Sequence, residues 1–330
     1  MYEKKFRRCF ILTKEQILNS VSLKKRFAKD TNLPISVFDN PYFEYQLNLI
    51  DKYEPCVAKF NRFCDELERF ENEQEYFEYY NAVKDEIITY IQNTPQYKNF
   101  NDDKCYSFDT KKKYPNRDVY KEDNLGKYLI SLDMKEANFT ALNFFEPLIF
   151  NRCSTWGMFI STFTNMLHII GSKYIRQVIL GACNPGRQIK AETVIMTTLA
   201  ENLEDKFNCH IISVAADEII IEGTFGSEFD VILSYLQEQN MLGMIKLEQF
   251  SLQKLNGKTG WVKHISRSSN CNPVCDSRKK LKCVSSVNFC QVLKYMLDLP
   301  IEENDLVFHY EGSLCRFLEP MPNPFDMSSI

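Results

Sequence analysis

The sequence predicts an α+β protein, a mainly antiparallel sheet with helices on one face, preceded by a helical region. Three observations carry this. Apolar runs of strand length recur between residues 125 and 265, and two of them, Lys127–Asp133 and Cys209–Asp217, end in a carboxylate. The stretches between them place apolar residues at helical spacing. Residues 1–120 read as mainly helical.

Taken in order, Thr13-Lys-Glu-Gln16 is a capping-box pattern that opens a helix. From Tyr53 to about Gln92, residues such as Val57, Phe60, Phe63, Leu67, Tyr76, Tyr80, Val83 and Ile87 recur at helical spacing, with Glu and Lys between them. This aromatic stripe is expected to be core, not a platform for stacked bases. Residues 93–124 are polar, with Pro95, Pro115 and Lys111–Lys113, and predict a linker. A strand then ends at Asp133, and a helix follows in which Ala137, Leu142 and Phe145 share a face. Helical stretches are expected around 156–170 and 172–203, interrupted at Asn184-Pro185-Gly186. Strands 209–216 and 219–223 meet tightly at Asp217-Glu218. Ser227-Glu-Phe-Asp230 predicts a capped helix to about Asn240. Strands 244–255 and 259–265 are joined by an Asn256-Gly257 turn. A helix over 287–297, short strands over 305–310 and 313–318, and a loosely held Pro-rich tail at Pro320–Pro324 complete the reading. The expected domains are 1–120, mainly helical; 121–265, the sheet-bearing core; and 266–330, a basic loop and C-terminal extension.

The 330 residues suffice for two domains, or for one core with large additions. No apolar run approaches the roughly 18 residues that span a bilayer, and Met1–Arg8 is basic without an apolar core behind it. The expectation is an intracellular protein, cytoplasmic or nuclear, without a membrane partner. Twelve cysteines spread over the chain then read as reduced core residues. Cys271, Cys275 and Cys283, with Cys290 beyond, are spaced compatibly with zinc but lack Cys-x2-Cys pairs, so a basic loop with free thiols is the expectation. The net charge is −4, yet Lys246–Lys282 holds nine basic and two acidic residues. Such a stripe suits backbone phosphates. The sequence contains no Walker loop, serine nucleophile elbow or Rossmann fingerprint, and its four histidines show no spacing suggestive of zinc.

An Asp at the end of an apolar strand is held rigidly at a sheet edge. Two of them on neighbouring strands suit Mg²⁺, which takes one or two carboxylates plus substrate phosphates. That is the minimum for two-metal phosphoryl or nucleotidyl transfer.

These residues also carry a resemblance. Asp133-Met-Lys-Glu-Ala-Asn138-Phe139 resembles the first palm motif of template-dependent polymerases and reverse transcriptases. Ala215-Ala-Asp217-Glu218-Ile-Ile-Ile-Glu222 resembles the third, closer to the Asp-Glu form of bacterial repair-type DNA polymerases than to the Asp-Asp of reverse transcriptases. The resemblance covers about 130–265. It implies a palm with inserted fingers-like helices, two Mg²⁺ or Mn²⁺ ions on Asp133 and Asp217, and an auxiliary Glu218, although strict strand alternation would turn Glu218 to the opposite face. It also implies nucleoside triphosphates and a nucleic-acid template and primer as partners. Asn138 falls where palm enzymes inspect the sugar, and a small amide there hints at ribonucleotide tolerance. Lys173 with Arg176, and Arg187 with Lys190, are i,i+3 pairs that could grip phosphates of the incoming nucleotide. Their segment reproduces neither the bacterial-polymerase helix nor the reverse-transcriptase Pro-Gln-Gly pattern. Lys246 lies where some palm enzymes protonate pyrophosphate. Lys254, Lys258, Lys263 and Arg267 would hold the primer strand. The expected function is template-dependent nucleotidyl transfer. The alternatives are a non-catalytic palm-derived nucleic-acid-binding or assembly protein, and a nucleotide cyclase-type synthase.

Overall fold

Six antiparallel strands in the order β2-β3-β1-β4-β5-β6 form the main sheet: β1 (Tyr128–Met134), β2 (His210–Val214), β3 (Glu218–Gly223), β4 (Ile245–Lys254), β5 (Trp261–Ser268) and β6 (Arg278–Lys282). The computed structural model describes residues 11–110, 112–223, 227–256, 260–269 and 278–326. Its helices are α1 (Lys14–Asn19), α2 (Val21–Thr31), α3 (Tyr42–Asp51), α4 (Val57–Leu67), α5 (Glu73–Asn93), α6 (Pro95–Asn101), α7 (Ala137–Phe145), α8 (Trp156–Ile160), α9 (Leu167–Ile170), α10 (Lys173–Gly181), α11 (Pro185–Phe207), α12 (Glu228–Glu238) and α13 (Phe289–Met296). A separate hairpin pairs β7 (Val307–Tyr310) with β8 (Ser313–Arg316). Among the described residues no helix is long and apolar enough to cross a membrane.

The chain divides into two compact units, each discontinuous in sequence. The first gathers the described residues up to Thr89, Gly157–Ile179 and Ser286–Pro322. The second gathers Tyr90–Trp156, Leu180–Ser285 and the described residues from Asn323. This differs from the linear division expected at 120 and 265.

In the first unit the aromatic stripe is core. Phe27 meets Phe60 edge-on at 5.0 Å, Phe43 meets Phe60 at 5.3 Å, and Phe63 meets Tyr76 at 6.1 Å. The Thr13 capping box forms as its sequence predicts: the Thr13 hydroxyl accepts from the Gln16 amide, and the Gln16 side chain accepts from the Thr13 amide. Two buried carboxylates of this unit have several partners each. Asp30 accepts from Arg26, Tyr80 and Ser172 at 3.1, 3.1 and 2.7 Å. Lys294, 4% exposed, pairs with Asp305 at 2.7 Å, and Asp305 also accepts from Tyr45 at 2.9 Å.

In the second unit β1, β2, β3 and β4 with their intervening helices make a β-α-β-β-α-β unit of strand order 2-3-1-4. Each strand presents alternate residues to opposite faces. Ile130, Leu132 and Met134 of β1, Ile219 and Ile221 of β3, and Ile245 and Leu247 of β4 share one face and are buried. α11 and α12 pack with the sheet and α7 packs on α11, and their apolar sides, among them Leu142, Ile195, Leu199 and Ile232, are buried too. Leu129, Ile220, Phe250, Leu252, Trp261 and Ile265 cluster on the other face with Ile212, Val119 and Tyr120, and no helical residue joins them. One face is therefore helix-covered and the other carries a smaller apolar patch beside a belt of charged residues.

Several local expectations are corrected. Residues 95–101, expected in a linker, are helical because Pro95 occupies the first helical turn, where its missing N–H costs nothing, and Thr94 caps the Tyr97 amide. The stretch expected over 156–170 splits into α8 and α9. Ser227 stands at the start of α12 but makes no capping hydrogen bond with its side chain. Part of the supposed basic loop is strand: Arg267 and Ser268 close β5, and Arg278–Lys282 is the edge strand β6. The Asn256-Gly257 turn falls partly on residues 257–259, outside those described; Leu255 N–H to Gly260 O, 3.0 Å, closes the hairpin across them. Gly260 has φ +129°, and a Cβ there would lie 2.8 Å from the Lys282 carbonyl, so β5 approaches β6 too closely for a side chain. The Pro-rich tail is tied down: Met321 N–H donates to Gln291, Tyr295 donates to the Met321 carbonyl, and Asn256 N–H donates to Pro324 O.

Candidate functional site

β1 is apolar at Leu129, Ile130 and Leu132, with a buried Ser131 between them, and places Asp133 next to its last residue. The chain then turns sharply: Glu136 adopts φ +51°, a left-handed conformation uncommon for a residue with a side chain, and α7 begins. The Glu136 carboxylate accepts from the Trp156 amide at 3.2 Å. Two backbone bonds stitch this end of the sheet. Met134 N–H donates to Asp217 O and Lys135 N–H to Met244 O, both at 2.8 Å. They bring the segment carrying Asp217 against the end of β1. In register, Asp133 lies opposite Glu218 on β3 and Lys246 on β4.

Glu218 thus shares the face of Asp133, contrary to strict alternation from Asp217, because Asp217 sits in the bend between β2 and β3 and not within a strand. Asp133 and Glu218 are half-buried, and Asp217 is exposed. Burial, reinforced by the Asp217 charge, holds the Asp133 carboxyl above the usual carboxylate range, and Lys246 and Lys263 offset this only in part. Burial likewise pushes Glu218 up to about 7; Lys263 opposes the shift, while Asp133 and Asp217 add to it.

A fourth carboxylate approaches Asp217 from α11. Glu192 is 4% exposed, and its Oε1 is buried without a hydrogen-bond partner. Burial and the Asp217 charge push it up to about 7. Sequence reasoning missed it, although a signal existed: Glu192 stands in phase with the apolar stripe Ala191, Ile195, Met196 and Leu199.

Beside the carboxylates lies a cluster of opposite character. Glu248, opposite Ser131 on β4, accepts from Lys263 at 2.8 Å and Lys280 at 3.3 Å, and also pairs with Lys246. Lys263 is buried, reaches Ser131 Oγ at 3.4 Å and stands 4.1 Å from the Phe250 ring centroid. Burial alone would raise Glu248, but Lys263, Lys246 and Lys280 outweigh it and hold its carboxyl at about 2.

The other predicted residues fall elsewhere. Asn138 is half-buried in the first turn of α7. Lys173 and Arg176 belong to the first unit, Arg187 and Lys190 to the second. Arg187 is a structural clamp: it donates to the carbonyls of Phe100 and Tyr106, pairs with Asp103 and lies 4.8 Å over the Phe108 ring. Lys190 is exposed. Lys254 pairs with Glu122, Arg267 forks onto Asp230 and stacks on Phe229 at 4.2 Å, and Lys258 lies outside the described residues. Cys271 and Cys275 also lie outside them. Cys283 is an exposed free thiol, and Cys290 is buried, its thiol pushed up to about 12. Among the described residues no group of three or more His, Cys, Asp and Glu side chains is arranged to hold a metal ion.

Compared with protein-family models, with curated proteins and with solved structures, the chain matches none.

Proposed function

We propose that the second unit is a palm-like, template-dependent nucleotidyltransferase whose centre is Asp133 and Asp217. The observation that carries this reading is the hydrogen bond of Met134 N–H to Asp217 O, which brings two strand-end carboxylates to one end of a β-α-β-β-α-β sheet. The oxygen-only donor set suits Mg²⁺ or Mn²⁺, which would complete its shell with triphosphate oxygens. When bound, such ions acidify the attacking hydroxyl and neutralise the leaving pyrophosphate. The chain's own contributions are separable. Asp133 and Asp217 supply fixed negative charge for the ions. Glu218, opposite Asp133 in register, would stand as an auxiliary carboxylate beside it. Lys246, across from Asp133, places an ammonium where phosphate charge would gather. Asn138 is the residue to examine for sugar selection.

The test is incorporation of labelled NTPs and dNTPs on primed RNA and DNA templates with Mg²⁺ or Mn²⁺. Asp133→Ala is expected to lower the rate by about three orders of magnitude, or about 4 kcal/mol of transition-state stabilisation. Template-independent formation of a cyclic nucleotide in the same assay would move the reading to a cyclase-type synthase. A non-catalytic nucleic-acid-binding palm is the second reading, favoured because no three His, Cys, Asp or Glu side chains among the described residues are arranged to hold a metal ion. Nucleic-acid binding without incorporation, unchanged in Asp133→Ala, would establish it instead.

A further inference from the structure

A pocket of about 470 Å³ opens in the first unit between α2, the segment 32–38 and the start of α10. Its size falls within the range of small-ligand sites. Lys25 and Lys29 of α2 and Lys173 of α10 line it, together with Phe38 and Tyr174. No carboxylate lines it among the described residues. The nearest acid in sequence, Asp30, is buried and committed to Arg26, Tyr80 and Ser172.

Two features of these lysines run against local stability, although Lys29, in the last turn of α2, suits the dipole there. Lys25 and Lys29 are like charges at i,i+4 on one helix face, which repel. Lys173 occupies the first position of α10, where the helix dipole disfavours a cation. None of the three has a salt-bridge partner among the described residues. What they have is aromatic: Lys25 stands 5.8 Å from the Phe38 ring centroid and Lys29 stands 5.6 Å from that of Tyr174. Three lysines lining one pocket suit an anion, and the rings of Phe38 and Tyr174, the latter also carrying the Arg26 guanidinium at 4.2 Å, suit a flat group. Asn32 and Gln177, also at the rim, add amide donors and acceptors.

We propose that this pocket binds a nucleoside phosphate unit, with its phosphate on Lys25, Lys29 and Lys173 and its base against Tyr174 and Phe38. The unit is either a free nucleotide or one residue of a single strand. The site is independent of Asp133 and Asp217, and stands or falls without them.

The experiment measures binding of labelled ATP, a labelled ten-nucleotide single strand and inorganic tripolyphosphate to the full chain. Lys25→Glu with Lys29→Glu is expected to weaken all three probes at least about tenfold. It should also flatten the salt dependence of strand binding by about 0.7 log units per log unit of salt, the contribution of one phosphate. Tyr174→Leu is expected to weaken the two base-bearing probes about tenfold and leave tripolyphosphate unmoved. Circular dichroism and thermal melting control for folding, and Lys173→Ala serves as a mild second variant if Tyr174→Leu is destabilised. Tight binding of the strand but not ATP identifies the strand as the source, and the reverse identifies the free nucleotide. Affinities unmoved by the lysine reversals, absence of binding by every probe, or tripolyphosphate binding that equals ATP with no effect of Tyr174→Leu would overturn the proposal. Asp133→Asn with Asp217→Asn should leave binding at this pocket intact, so its failure and that of the nucleotidyl-transfer reading are separable.

Discussion

Two groups of charges in the second unit have opposite fates. Around Glu248 three lysines meet a single carboxylate, and its carboxyl is held at about 2. At the end of β1, Asp133, Asp217 and Glu218 repel one another, Asp217 also repels Glu192 of α11, and Glu218 and Glu192 are pushed up to about 7. Burial alone does not separate them, since Glu248 and Glu192 are both almost fully covered. Partners do. A buried charge with counter-charges braces the fold, and a buried carboxylate without them leaves a site that a cation or a proton completes.

The sharpest way to break this contrast is Glu248→Gln. It leaves three lysines crowded without their counter-charge, and a loss of about 3–5 kcal/mol is expected from urea unfolding at constant m-value. A cost below about 1 kcal/mol would mean that the lysines find water, and that the cluster is not a brace.

Acid should release the same brace. The folded carboxyl of Glu248 lies below its unfolded value of about 4.5, so its stabilisation is present above that value and lost as pH falls toward about 2. The shift corresponds to about 3 kcal/mol at most. Unfolding free energy measured from pH 5 to pH 2 should fall by an amount that shrinks in Glu248→Gln. Identical pH dependence in both proteins would assign the loss to other groups.

The smallest effect is expected on the other side of the comparison. Glu192 is raised, so its favourable contribution is present below about 4.5 and lost as pH rises through about 7. At pH 8 Glu192→Gln should therefore be neutral or stabilising, by up to about 1 kcal/mol, whereas an acid braced by hidden partners would be destabilised. Thermal melting at pH 5 and pH 8 reads the sign.

The strand–helix order of the second unit was legible because its strands are apolar runs and its helices keep a 3.6-residue period. Asp133 and Asp217 were legible because polar residues end those runs. What escaped is what depends on partners far away in sequence. Arg187 and Lys190 look alike as a phosphate grip, yet Arg187 spends its guanidinium on the carbonyls of Phe100 and Tyr106. Strand β6, Arg-Lys-Lys-Leu-Lys, carries almost no apolar alternation and is a strand only because β5 offers it an edge. Pro95 was read as a breaker, when the first turn of a helix is where proline fits. Glu192 was hidden by its own stripe, since an acid among apolar residues becomes conspicuous only once Asp217 is beside it.

The discontinuity of the first unit has a consequence for synthesis. Tyr45 hydrogen-bonds Asp305, 260 residues further on, and the His309 imidazole meets the Ser36 carbonyl across 273. A ribosome delivers Tyr45 and Ser36 first and must then make the whole main sheet before their partners exist. Chains generally fold from the N-terminal side as they emerge. Here the sheet can form on the nascent chain while the helical unit that precedes it is still waiting for its closing segment, so the part begun first is completed only after the sheet has been made.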